Sequence, residues 1–496
     1  MPARSAARTP RPSPDDTSGA TAPRRLRRQI TAWSLWDWGG AAFNAVVTTF
    51  VFTPWLTSDT FVEQGADADA VTAQHSAWLG WGLTVAGVLI AVLAPALGAL
   101  ADRSGRRKLW LGANSAVVFV TMLALWFVEP VPGHLSRAVV LGVVLLSLGN
   151  VFYELAGVAY NALLLQISTP RTIGRISGIG WGAGYVGGIV LLLVLYVGFI
   201  NPDVGWFGVT DAHGLDFRVS MVLAALWFGV FAIPVLVVVQ ERRTPPFTGD
   251  VPVPGAAEAA VAAGAAHEAK ASRGLGAVAA AYRQLFRDLA RLWRTSRSTL
   301  GFLVASAVFR DGLAGVFTFG AVIASGTFGF GSSEVIVFAI AANVVAGICT
   351  ISAGWLDDRI GPRRVVIGSL VGLVVAGTAV FVLHDAGQAP FWIFGLMLSA
   401  FVGPAQSASR ALLGRLAEPG RETELFGLYA TTGRAASFLA PFAFSTLVSV
   451  TGHQYWGILG IVAVLLVGLV LLLLVRFPSG RGIGGVHDVP APEPAR

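Results

Sequence analysis

The chain has 496 residues, 54% of them hydrophobic and 13% charged, with a mean hydropathy of +0.68 and a net charge of +7. An ordinary soluble domain is about 25% charged, and a soluble core stops growing near about 250–300 residues. The composition therefore excludes a soluble enzyme, a disordered scaffold or a nucleic-acid module as a reading of the whole chain, and at about 20 apolar residues per crossing it leaves room for about a dozen membrane spans.

Residues 1–30 are rich in Pro, Ser, Thr and Arg and read as a disordered basic tail ending in Arg24, Arg25, Arg27 and Arg28. Twelve apolar segments follow, at 33–57, 77–101, 109–128, 136–166, 175–200, 218–240, 300–326, 333–356, 365–384, 389–416, 424–450 and 454–476. The first is longer than a signal-peptide core and contains Asp37, so it reads as an uncleaved span. The stretch 241–299 divides the segments six and six, giving one unit over 31–240, a second over 300–476, and a disordered tail over 477–496. Within the divider, 245–281 is rich in Pro, Ala and Gly and reads as a flexible linker. Its last part has helical spacing, with Arg283, Arg287 and Arg291 on one face and Leu285, Leu289 and Leu292 on another. Such a helix fits a membrane surface and fits a solvated connector equally well. The single cysteine, Cys349, allows no disulfide within the chain.

Loop charge gives the orientation. Loop 102–108 carries Arg103, Arg106, Arg107 and Lys108, and loop 357–364 carries Arg359, Arg363 and Arg364. The alternate loops are acidic, with Asp59, Glu63, Asp67 and Asp69 in one and Asp203, Asp211 and Asp216 in another. Both termini and the linker are therefore expected in the cytoplasm, and the excess of basic residues is a topology signal, with no nucleic-acid partner.

The two basic loops repeat one motif, G-x-L-x-D-R-x-G. It runs from Gly98 through Leu100, Asp102 and Arg103 to Gly105, then Arg106; it recurs from Gly354 through Leu356, Asp358 and Arg359 to Gly361. Each copy follows the second span of its half, and the copies lie 256 residues apart. The glycines allow a tight turn and close helix approach, and the aspartate can face the positive end of a neighbouring helix. A contact of this kind has to break when the halves rock, so it can act as a conformational latch. The motif resembles the signature loop of the major facilitator superfamily. The resemblance implies an all-α polytopic membrane protein, with 12 transmembrane helices as two six-helix bundles and the substrate site between them.

Ionisable and amide side chains within spans are costly and mark function by default. Span 1 carries Asp37 and Asn44; span 4 carries Asn150, Glu154 and Asn161 in one helical stripe with Gly157; span 7 carries Arg310 and Asp311; span 10 carries Gln406 and Arg410; span 11 carries Arg434. Spans 1, 4, 7 and 10 are the first helices of each three-helix unit, and in the resembling fold they line the central cavity. Three acids (Asp37, Glu154, Asp311) face three bases (Arg310, Arg410, Arg434). That balance suits pairing and suits a zwitterionic solute. Glu154 is a candidate proton carrier or a fixed partner of an arginine. Arg310 and Arg434 are candidates to grip a carboxylate or to form gating salt bridges with Asp311 or Asp37. Asp37 and Arg410, nearer the cytoplasmic face, read as a structural pair.

No cofactor or metal is expected. Gly182-Ala183-Gly184-Tyr185-Val186-Gly187 matches a dinucleotide fingerprint but lies inside an apolar run, where it serves helix packing. A phosphate-binding G-x-x-x-x-G-K-[ST] loop is absent, and the histidines lack ligand spacing.

Five further segments are similar to the autophagy-related vacuolar amino-acid effluxer family and its bacterial relatives. They are Trp33-Ser34-Leu35-Trp36-Asp37-Trp38 with Ala42-Phe43; Tyr160-Asn161-Ala162-Leu163-Leu164; Ser177-Gly178 through Gly188; Asp311-Gly312; and Gly403-Pro404 through Arg410 with Glu424 to Tyr429. Gln166 replaces the family's acid and Arg434 its usual lysine. The resemblance implies export of amino acids or similar small polar solutes. With the six-and-six layout, the paired loop motif and the charges on every third span, the chain reads as a secondary transporter, with no enzymatic activity, that works by alternating access, Glu154 being the candidate for proton coupling. The expected setting is the bacterial plasma membrane, with the lipid bilayer, the solute and protons as partners and a monomer as the working unit. A sugar or drug facilitator of the same fold and a non-transporting receptor or scaffold are the competing readings.

Overall fold

A computed structural model describes residues 18–104, 106–168, 173–241, 275–416 and 422–477. Every regular element among them is helical. Among the described residues, eleven helical stretches are long and apolar enough to cross a membrane, by length and composition. The first half contains α1 (Ser18–Ala41), α2 (Phe52–Leu56), α3 (Ala68–Ser104), α4 (Arg107–Ala124), α5 (Leu135–Ile167), α6 (Ile173–Leu195) and α7 (Leu215–Val238). The divider supplies α8 (Leu275–Thr295). The second half contains α9 (Arg297–Gly326), α10 (Ser332–Ile360), α11 (Pro362–Val382), α12 (Ala389–Leu416), α13 (Glu422–Ala435), α14 (Leu439–Thr451) and α15 (Trp456–Leu474).

The expected first span is not one of the eleven. It is assembled from α1, a π-helix over Ala42–Phe50 and α2. The wide turn shows in the bond from the Val51 amide to the Val46 carbonyl, five residues back. Residues 18–30, expected in a structureless tail, instead form the first turns of α1. Arg, Leu and Gln are good helix formers, and the exposed run Arg24, Arg25, Leu26, Arg27, Arg28 continues the helix out of the apolar segment. Of the expected flexible linker at 245–281, residues 245–274 lie outside the described residues, whereas 275–281 form the first turns of α8, an alanine-rich run that favours helix; of the expected tail at 477–496, residues 478–496 lie outside the described residues.

Packing in one half repeats in the other. In the first, α1 packs on α6 and α7, α3 on α5, and α4 on α5 and α7; in the second, α9 packs on α13, α14 and α15, α10 on α12, and α11 on α12 and α15. The halves meet most closely where α3 lies against α13 and α14. There a Cβ on Gly87 would come within 2.8 Å of the Ser437 carbonyl and 2.9 Å of the Phe438 Cα, so only glycine lets the two backbones approach. Large apolar side chains such as Phe127, Val237, Val382 and Leu474 remain exposed on the outside, as lipid-facing helices require.

The halves are also joined by hydrogen bonds on the side that carries the acidic loops. Gln454 Nε2 donates to Ser76 Oγ at 2.7 Å, Trp81 Nε1 to Ser449 Oγ at 3.1 Å, and Ser333 Oγ to Asn201 Oδ1 at 3.5 Å. On the opposite side lie the two motif loops. Gly98, Asp102 and Arg103 fall in the last turns of α3, and Gly105 lies outside the described residues. Arg106 precedes α4. Gly354, Asp358 and Arg359 fall in the last turns of α10, and Gly361 makes the turn into α11 with φ of 86°. At this second loop, Asp357, the neighbour of the motif aspartate, pairs with Arg415 at 3.5 Å.

Candidate functional site

A cavity of about 570 Å³ lies between the halves. Asp37, Asn44, Glu154, Asn161, Arg310, Asp311, Gln406, Arg410 and Arg434 line it. Asn150, on the same stripe of α5, is half-buried and is not among the lining residues.

The wall from the first half is built on α1, its π-helical extension, α5 and α6. Trp33 and Trp36 of α1 stack on Tyr160 of α5, each with ring centroids 4.4 Å apart, and Trp36 also stacks on Tyr153 at 5.4 Å. This stack fixes the two polar side chains of the first span. The Tyr160 hydroxyl donates to Asp37 Oδ2 at 2.7 Å, and Asn44 Nδ2 donates to the Tyr153 hydroxyl at 2.9 Å. The π-helix continues the polar surface, with Thr48 Oγ1 donating to the Asn44 carbonyl at 2.6 Å and both residues lining the cavity. π-Helical turns are frequent at functional sites.

The wall from the second half carries guanidinium groups. Arg310 donates to the Tyr429 carbonyl at 3.0 Å and lies 4.0 Å over that tyrosine's ring. Arg410 lies 4.9 Å over the ring of Trp181, which belongs to α6 of the opposite wall. Arg434 Nε meets Glu154 Oε2 at 3.3 Å, an ion pair between the two walls. Among the described residues, neither Arg310 nor Arg410 has a carboxylate within ion-pair distance. A carboxylate brought by a solute would complete either one through paired N–H donors.

Asp311 also lines the cavity, but one carboxylate oxygen is committed elsewhere. The expected eleventh span is broken between Ala435 and Leu439, and Asp311 Oδ2 accepts from the Ala440 amide at 2.5 Å, in the first turn of α14. An aspartate there satisfies an amide left without a partner inside its own helix and faces the positive end of the helix dipole. Arg434 sits in the last turn of α13, at the other edge of the break, where a cation is favoured. Among the described residues, neither the expected structural pair of Asp37 and Arg410 nor the expected gating bridges of Arg310 or Arg434 with Asp311 or Asp37 form, because Arg434 is taken by Glu154 and Arg310 by the Tyr429 carbonyl. The polar partner of Asp37 is Tyr160, and Arg410 rests on Trp181.

Sequence reasoning missed the aromatic lining: Trp33, Trp36, Tyr153, Tyr160, Trp181, Tyr185 and Tyr429. In an apolar run such residues read as core. A spacing signal was present: Tyr153 and Tyr160 are seven apart, and Trp33, Trp36 and Asp37 fall within four residues of one another on α1.

The family described as "Vacuole effluxer Atg22 like" matches residues 25–482. An uncharacterized MFS-type transporter of Bacillus subtilis, YxiO, is 25% identical over 457 residues, covering 91% of this chain and 96% of that protein. Autophagy-related protein 22-1 of Neosartorya fischeri is 25% identical over 331 residues, covering 64% of this chain and 49% of that protein; the match thus spans about half the length of the fungal relative. Among solved structures, the inward open conformation of the xylose transporter XylE from E. coli superposes with a TM-score of 0.58 at 15% identity, covering 92% of this chain and 97% of that one. A bacterial homologue of the iron transporter ferroportin superposes with a TM-score of 0.57 at 14% identity, covering 91% and 98%. At these identities the structures establish the fold, that of the major facilitator transporters.

Proposed function

The chain belongs to the Atg22-like family of vacuole effluxers, and from that premise we propose that it moves a small zwitterionic solute, an amino acid or close analogue, across the membrane by alternating access. That it is a multi-pass membrane transporter follows from the family, the relatives and the fold. The solute class rests on one observation, the opposite charge of the two cavity walls. Asp37 and Glu154 stand on one wall, Arg310, Arg410 and Arg434 on the other. A solute with an ammonium at one end and a carboxylate at the other completes both walls at once. The stacked rings of Trp33, Trp36 and Tyr160 beside Asp37 add a face that attracts a cation.

The ion pair of Glu154 with Arg434 supplies the coupling in this reading. A solute carboxylate held by Arg310 that also draws Arg434 frees Glu154, which then carries a proton as the halves rock. The broken eleventh span supports this role, because half-helix ends at the substrate level are a recurrent way for transporters to place charge. Bonds between the halves on the acidic-loop side describe a state closed on that side, with the motif loops as the latch that closes the other. Loop charge supports termini and linker in the cytoplasm of a bacterial cell, and the family description supports export. Each chain has both walls, so a monomer suffices.

Transport into proteoliposomes tests the proposal. Purified protein preloaded with one unlabelled amino acid at a time is expected to accumulate the same labelled amino acid by counterflow, and Arg310→Ala is expected to abolish this. Absence of counterflow for every amino acid, with uptake of an uncharged solute instead, contradicts it.

A further inference from the structure

The helix α8 lies outside both bundles and touches each, packing on α3 and on α9. Two contacts place it. The Tyr282 hydroxyl donates to the Val92 carbonyl of α3. At its other end α8 passes through Ser296 directly into α9, whose apolar stretch starts at Arg297. Its C-terminal end is thus held at the edge of the membrane-spanning region. Twenty-one residues of helix reach about 31 Å, enough to run along that edge beneath both halves.

Three surfaces can be separated around its axis. Leu285 and Leu292 pack against the protein core. Arg283, Arg287 and Arg294 are exposed and fall within about 40° of one another at 100° per residue. Phe286 and Trp293, two turns apart, form an edge between these surfaces and are exposed at 66% and 59%. Arg297 lies 5.3 Å over the Trp293 ring and extends the basic surface. A helix facing water gains nothing from exposed Phe and Trp. One lying in a bilayer interface places such rings at the acyl boundary and its arginines among phosphates.

We propose that α8 is an anionic-lipid binding element, lying in the headgroup layer with Phe286 and Trp293 inserted and Arg283, Arg287 and Arg294 on lipid phosphates. Because it touches both bundles on the side where the motif loops lie, headgroup binding there biases the opening of that side. The binding itself stands whatever solute is moved.

The test uses the full chain with Cys349→Ser and a fluorophore on Phe286→Cys, in vesicles of phosphatidylcholine with and without phosphatidylglycerol. The label is expected to be quenched by nitroxide-bearing lipids and shielded from aqueous iodide. Preference for nitroxide phosphatidylglycerol over nitroxide phosphatidylcholine is expected to fall at least about ten-fold when Arg283, Arg287 and Arg294 are all changed to Gln. High salt on the unmodified arginines is expected to reduce the same preference, which keeps the test open if the triple variant fails to fold. Inorganic phosphate at matched charge is expected to change nothing. Iodide quenching without lipid quenching, competition by inorganic phosphate, or an unchanged lipid preference in the triple variant and in high salt overturns the proposal. None of these readings uses transport, so their failure is distinct from failure of the solute assignment.

Discussion

The two cavity walls come from halves that repeat each other's packing, yet their chemistry is opposite. On the first wall Asp37 is held by the Tyr160 hydroxyl, with Trp33 and Trp36 stacked on that ring, and Glu154 reaches across to Arg434. On the second, the guanidinium groups of Arg310 and Arg410 rest on ring faces, that of Arg310 also on a backbone carbonyl. The helical deviations differ too. The first wall bends by a π-helix at Ala42–Phe50, and the second breaks between Ala435 and Leu439. The repeated packing supplies the frame for rocking, while the unequal side chains decide what is held between the walls.

The largest expected effect comes from erasing the basic wall. Arg310→Ala removes a guanidinium with no carboxylate partner among the described residues, and transport is expected to fall by about 100-fold or more, since a buried polar site left incomplete discriminates strongly. A transport assay that finds less than about a three-fold loss breaks the comparison at its strongest point. Next comes the pair that joins the walls. Glu154→Gln is expected to abolish accumulation driven by a pH gradient while leaving counterflow measurable. Combined with Arg434→Gln, its loss of thermal stability is expected to be less than the sum of the single losses, because contacting residues couple.

Smaller effects sharpen the account of each wall. Asp311→Ala removes the acceptor at the start of α14 and is expected to destabilise by about 1–2 kcal/mol, as lost helix caps do. Asp311→Asn, which keeps an acceptor oxygen, is expected to lose less, and the two melting temperatures compared directly test the capping role. Trp181→Ala removes the ring under Arg410 and is expected to weaken solute affinity by about two- to five-fold, from about 0.5–1 kcal/mol of cation–π attraction. Trp181→Phe, measured in the same binding assay, is expected to recover part of it.

Much of the cavity was legible because charge inside apolar runs is costly and therefore conspicuous: Asp37, Glu154, Arg310, Arg410 and Arg434 all line it. Pairing was less legible. Asp37 and Arg410 looked like partners from their depth along the chain, but pairing is decided by which helices face each other and which aromatic rings stand between them. Asp311 looked like a solute group. Its cap on Ala440 depends on a break in a distant span that hydropathy does not reveal, since the residues across the break, Ala435 to Leu439, read as one continuous run with both flanks. The π-helix is invisible for the same reason. The aromatic lining was hidden because a ring buried against lipid and a ring facing a solute have the same hydropathy.

The central claim is that the walls require both charges of the solute. The most direct test measures melting temperature of the purified protein with a matched series for each amino acid: the zwitterion, its carboxamide and its N-acetyl derivative. A ligand that binds the folded form raises the melting temperature. The account predicts a rise with at least one zwitterion and none with either of its singly charged derivatives. An equal rise with a derivative lacking one charge, or with an uncharged solute alone, contradicts it.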